Sequence, residues 1–189
     1  MEPNPIHREV LDSWFGDAGK SRPEWFRKDP AFDSEIRSRF GALHAEAAAG
    51  GLAEWESAPR PALALLIVLD QFSRNLFRGD PRAFAQDARA QRVADKMVER
   101  AWHRELQPIE RQFAYLPFEH AEDLARQDRS VALFDELQAS PGMEGIAQWA
   151  GKHREVIQRF GRFPHRNKAL GRISTPEEEA FILTPGSGF

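Results

Sequence analysis

The chain has 189 residues, 41% of them hydrophobic and 29% charged, with a formal net charge of −3 and no cysteine. That length suits a single domain, residues 1–189, whose core needs no covalent staple. The missing thiols exclude disulfides, thiolate catalysis and Cys-bound zinc or iron–sulfur centres.

In chain order, Met1-Glu2-Pro3-Asn4-Pro5 lacks the basic start and apolar stretch of an export signal. The longest apolar run, Ala62–Leu69, is too short to span a bilayer. A cytoplasmic protein with no membrane partner is therefore expected. Thr occurs twice and Tyr once, whereas Ala, Leu, Glu and Arg abound, so the pattern predicts an all-α fold.

A first helix is expected from about His7 to Phe15, followed by a loop over Gly16–Pro23. Asp29 caps a helix with Pro30 at its first position, running to Ala49 and stopped by Gly50-Gly51. Pro59 and Pro61 open the next helix, to about Phe77. Its half at Ala62–Leu69 is apolar all round and reads as the central buried helix. Asp80-Pro81 starts a helix that ends near Trp102. Pro108 starts another, which Pro117 kinks or restarts. A helix over Arg129–Gln138 precedes the turn Ser140-Pro141-Gly142. The next helix runs to Phe160, where Gly161 can end it. Thr175-Pro176-Glu177-Glu178 caps a last short helix. Short connections predict antiparallel neighbours.

Charge is unevenly spread. Between Lys152 and Arg172 seven cations face one anion, Glu155, so this segment is +6 and the remainder −9. Within it, Arg159-Phe160-Gly161-Arg162-Phe163-Pro164-His165-Arg166-Asn167 sets guanidiniums, an imidazole and an amide among aromatic rings. Such groups fit a site for something negative, either a ligand or the protein's own carboxylates. A second segment, Asp70–Arg78, places Asp70 and Arg74 four apart on a helix, as an ion pair or as an aspartate that orients Arg74 and Arg78. A third, Leu116–Leu124, gathers Glu119, Glu122 and Asp123 around His120, with Phe113, Leu116, His120 and Leu124 on one expected face. His153 falls on an apolar stripe.

The Glu-x-x-His and His-x-x-x-His spacings of helical metal sites are absent, so no metal is assigned, and no motif implies a cofactor. Gly16-Asp17-Ala18-Gly19-Lys20-Ser21 imitates a phosphate loop by chance, since Trp14 stands where its first Gly belongs. The acidic remainder argues against a nucleic-acid partner.

Val10–Gly16, Asp70–Gly79, Leu116–Leu124, His153–Asn167 and the Pro185–Phe189 tail together resemble one uncharacterised, mainly bacterial domain-of-unknown-function family. Ser13 stands where Phe is common in that family and Ser73 where Pro is common. The resemblance implies a tetratricopeptide-repeat-like right-handed superhelix of antiparallel helix pairs, and no reaction. The leading expectation is a polar pocket for an anionic small molecule or peptide. Arg74, Arg78, Arg159, Arg162, His165, Arg166 and Asn167 would bind, and Asp70, Glu119 and Glu122 would orient them. The alternatives are an enzyme using His120, His153 or His165 with Glu119 or Glu122 for acid–base or metal-assisted hydrolysis, and an ion-pair network that only holds helices in register beside a protein partner.

Overall fold

The structure is a computed structural model that describes residues 5–16 and 20–187. Met1–Asn4, Asp17–Gly19 of the phosphate-loop imitation and Gly188-Phe189 of the tail lie outside the described residues. The described residues form an all-α fold with no strand. None of their helices is long and apolar enough to cross a membrane.

Helix starts follow local chemistry. α1 is Ile6–Phe15 and buries Val10, Leu11, Trp14 and Phe15. α2 is Pro30–Ala48, with the Asp29 carboxylate accepting from the amides of Ala31 and Phe32. α3, Pro59–Leu66, is buried on all sides from Ala62 onward because it lies among α1, α5 and α6. It continues through a π-turn at Ile67–Phe72 into α4, Ser73–Leu76. A π-turn widens the helix by one residue and loosens its carbonyls. Two of them accept from side chains here: Leu69 O from Ser73 Oγ at 2.6 Å and Asp70 O from Arg74 Nη1 at 2.8 Å. With its proton on Leu69, Ser73 Oγ must accept from His44 Nε2 at 2.8 Å.

The next segments depart from the sequence expectation. Asp80-Pro81 opens only a 3₁₀ turn, Pro81–Ala83, and α5 begins at Asp87 and ends at Glu99. α6, Pro108–Glu119, carries Pro117 within its last turn and is not broken there. It stops at Glu119 because Asp123 opens α7, Leu124–Leu137, accepting from the amide of Arg126. The expected stripe from Phe113 to Leu124 is therefore not one helix, and Asp123 is a cap. The Gln127 amide seals the end of α6, donating to the carbonyls of Phe118, Glu119 and Ala121. α8, Ala147–Phe160, ends at Gly161 with φ of 69°. α9, Pro176–Ile182, has the expected Thr175–Glu178 reciprocal cap. α6, α7 and α8 pack in succession, and the loop after α8 folds back against the end of α6.

Candidate functional site

The π-turn, the end of α6 and the loop after α8 meet in one buried polar cluster. At its centre Asp70, 1% exposed, accepts from His120 Nδ1 at 2.7 Å and Gln71 Nε2 at 2.5 Å and forms an ion pair with Arg74 Nη1 at 3.0 Å. Arg74 also grips Asp87, the first residue of α5, with both terminal nitrogens at 3.0 and 3.1 Å. Asp87 takes a further bond from Arg166 Nη1 at 3.2 Å, so two guanidiniums share one carboxylate. Arg166 Nη2 donates to His120 O at 3.0 Å, and its plane lies 4.6 Å from the rings of both Phe84 and Phe163.

A second acid–base pair borders the first. Glu119, next to His120 in the chain, has an oxygen 3.3 Å from His153 Nδ1, which itself donates to Trp149 O at 2.8 Å. His165 lies against Phe163 beside Arg166. The cluster is not sealed. Side-chain exposure is 20% for Arg74, 14% for His120 and 12% for Asp87.

The electrostatics separate these groups. Burial opposes ionisation of Asp70, but Arg74 and then His120 outweigh it and hold the carboxylate well below its usual range. Burial, then the charge of Asp70, push Glu119 up to about 8, so it is a neutral acid at neutral pH. Burial lowers His153 to about 3, and burial with the cations of Arg166 and Arg74 lowers His165 to about 4. His120 is lowered by burial and by Arg74, against the pull of Asp70. Arg166 falls to about 10 through burial and the neighbouring Arg74, and stays charged at neutral pH. At neutral pH the cluster thus holds three neutral imidazoles and one protonated carboxyl group beside the ionised Asp70 and the two guanidiniums.

Of the residues singled out in the sequence, Asp70, Arg74, Glu119, His120, His153, His165 and Arg166 converge. The others are bonded elsewhere. Arg78 bonds Asp33 through Nε at 2.5 Å and Nη2 at 2.8 Å, toward α2. Arg159 pairs with Glu177 on the surface. Arg162 holds Glu178 with two bonds, at 2.6 and 2.8 Å, and so fastens α9. Asn167 joins Ser174, Glu178 and Arg172. Glu122 accepts twice from Arg172 and once from the amide of Phe163, which shapes the loop that delivers Arg166. Asp87 is the member that the sequence reading missed. Its only signal was a pair of arginines in need of a second carboxylate. Among the described residues, no group of three or more His, Asp or Glu side chains is placed to hold a metal ion.

Residues 10–186 match the family model described as bacterial protein of unknown function (DUF924). The chain belongs to this family. Every member of the cluster, from Asp70 to Arg166, lies inside the matched span. Among solved structures, the protein of unknown function ATU0120 from Agrobacterium tumefaciens is similar over 94% of this chain and 97% of its own, at 38% identity and a TM-score of 0.85. No curated protein matches. The family resemblance read from the motifs is thus shown, and the family carries no stated reaction.

Proposed function

We propose that the cluster binds a small anionic molecule through Arg74, His120, His165 and Arg166, in a cytoplasmic protein. The observation that carries this reading is the shared carboxylate of Asp87 under two guanidiniums. Two cations side by side repel each other, a cost that an anion bound between them would relieve. Two neutral imidazoles stand beside them, and an arriving anion would make both easier to protonate. Strongly shifted groups gathered at a partly open position are the mark of working sites. The succession α6–α7–α8 supports a tetratricopeptide-type superhelix, which would leave this cluster toward a concave side.

Thermal melting across phosphate, dicarboxylates and carboxylate-ended peptides tests the reading. A ligand at about one hundred times its Kd stabilises the folded state by about 2.7 kcal/mol. In a chain of this size that raises Tm by about 5–11 °C. The rise should disappear in Arg166→Lys, which keeps the charge and loses the planar fork. An equal rise in that variant, or none in the wild type with any anion, removes the proposal.

The enzymatic reading has one specific support. The Asp70 carboxylate, 2.7 Å from His120 Nδ1, fixes the imidazole with Nε2 as the nitrogen left to take a proton. Glu119, held protonated beside it, is the matching acid. In that case His120→Gln, whose amide can still donate to an anion but cannot take a proton, keeps binding and loses turnover.

A further inference from the structure

Arg78 was singled out by the sequence but stands outside the cluster, in a separate cleft of about 380 Å³ between the start of α2 and the end of α4. We propose that this cleft is a second binding site, for the phosphate monoester of a small organic molecule.

The charge count comes first. Lys28, Arg37, Arg78 and Arg82 line the cleft against two carboxylates, Asp33 and Asp80. Both carboxylates are already consumed. Asp33 accepts from Arg78 twice and from Asn75 Nδ2 at 2.7 Å. Asp80 accepts twice from the Arg82 side chain, at 2.9 and 3.0 Å. Lys28 and Arg37 have no carboxylate within ion-pair distance among the described residues. The four cations and two carboxylates of the lining therefore leave an excess of two positive charges in a chain whose net charge is −3. A phosphate monoester carries about −1.5 to −2 at neutral pH and matches that excess.

Preorganisation comes second. Arg37 Nη2 donates to Leu76 O at 2.9 Å, covering a terminal carbonyl of α4 whose negative end would repel an anion. That bond fixes the guanidinium and leaves Nε and Nη1 for a ligand. Arg82 lies 4.4 Å over the Phe77 ring while Asp80 holds it from the side. Arg78 is clamped by Asp33. Three of the four cations are thus held by partners other than a ligand, which lowers the ordering cost of binding. Phe77 and Pro30 give the wall an apolar part for the organic portion.

The test is an NMR titration of the full ¹⁵N-labelled chain with inorganic phosphate and then phenyl phosphate, with chloride at equal ionic strength as control. Saturable shifts are expected at the amides of 28–37 and 75–82, with phenyl phosphate the tighter of the two. Lys28→Gln combined with Arg37→Gln changes only exposed side chains. It should weaken phenyl phosphate by at least about tenfold, or 1.4 kcal/mol. Shifts that chloride reproduces, a silent titration, or undiminished binding by the double variant would overturn the proposal. Saturable shifts confined to 119–122 and 163–167 would overturn it too, while leaving the Arg74–Arg166 site standing.

Discussion

Replacing Asp70 with Asn tests whether the cluster depends on one buried charge. The substitution keeps the shape and removes the anion that faces Arg74 at 3.0 Å and His120 at 2.7 Å. Removing one partner of a buried ion pair costs about 3–5 kcal/mol. Arg74 keeps its two bonds to Asp87, so the lower end applies, about 3 kcal/mol. For this chain length, that lowers Tm by about 6–12 °C. The pH dependence has a definite sign. The folded pKa of Asp70 lies below the 3.8 of a free aspartate. Its stabilisation is therefore present above that value and is lost only as pH falls through the folded pKa. The deficit of Asp70→Asn should hold steady from pH 7 down to about 4 and shrink below it. Calorimetry across that range measures both. Adding Arg74→Met should recover part of the loss, because the orphaned cation is then gone. A single variant melting within about 2 °C of wild type, under 1 kcal/mol, would refute the reasoning.

Glu119 gives the opposite sign. Its pKa rises from 4.5 to about 8 on folding, so wild-type stability declines as pH climbs through that window. Glu119→Gln mimics the protonated form, and denaturant titrations at pH 5 and pH 8.5 should show the variant gaining on wild type by a few kcal/mol; parallel curves would sink the assignment. Gln127, fully buried, bonds three carbonyls at the end of α6. Gln127→Leu should lower the urea midpoint by the equivalent of at least about 1–3 kcal/mol, the cost of stranded carbonyls, and an unchanged midpoint would mean that water replaces the amide.

Legibility in the sequence followed the range of the interaction. Asp29-Pro30, Thr175-Pro176 and Gly161 marked helix ends because a cap acts within three or four residues. The π-turn left no trace, since Ala62–Leu69 is apolar on every side and so has no phase for an extra residue to disturb. The sequence pattern puts the start of α7 near Arg129 because Glu119–Asp123 reads as helix, whereas Asp123 caps the next one. The cluster was legible one segment at a time. Asp70 with Arg74 and Glu119 with His120 stood out as polar groups among apolar ones. What could not be read was the choice among arginines. Arg78, one turn beyond Arg74, turns to Asp33, while Arg166 crosses 79 positions to reach Asp87.

That long crossing sets an order of events during synthesis. When α6 has left the ribosome, Asp70, Arg74, Asp87 and His120 all exist, but Arg166 and Phe163 do not. Until the loop after α8 arrives, Phe84 has Arg74 but not Arg166 over its ring, and Asp87 lacks its second guanidinium. At this one place the growing chain shows hydrated charge to its neighbours. The polar centre closes only when that loop arrives, and until then its charged groups can stay hydrated.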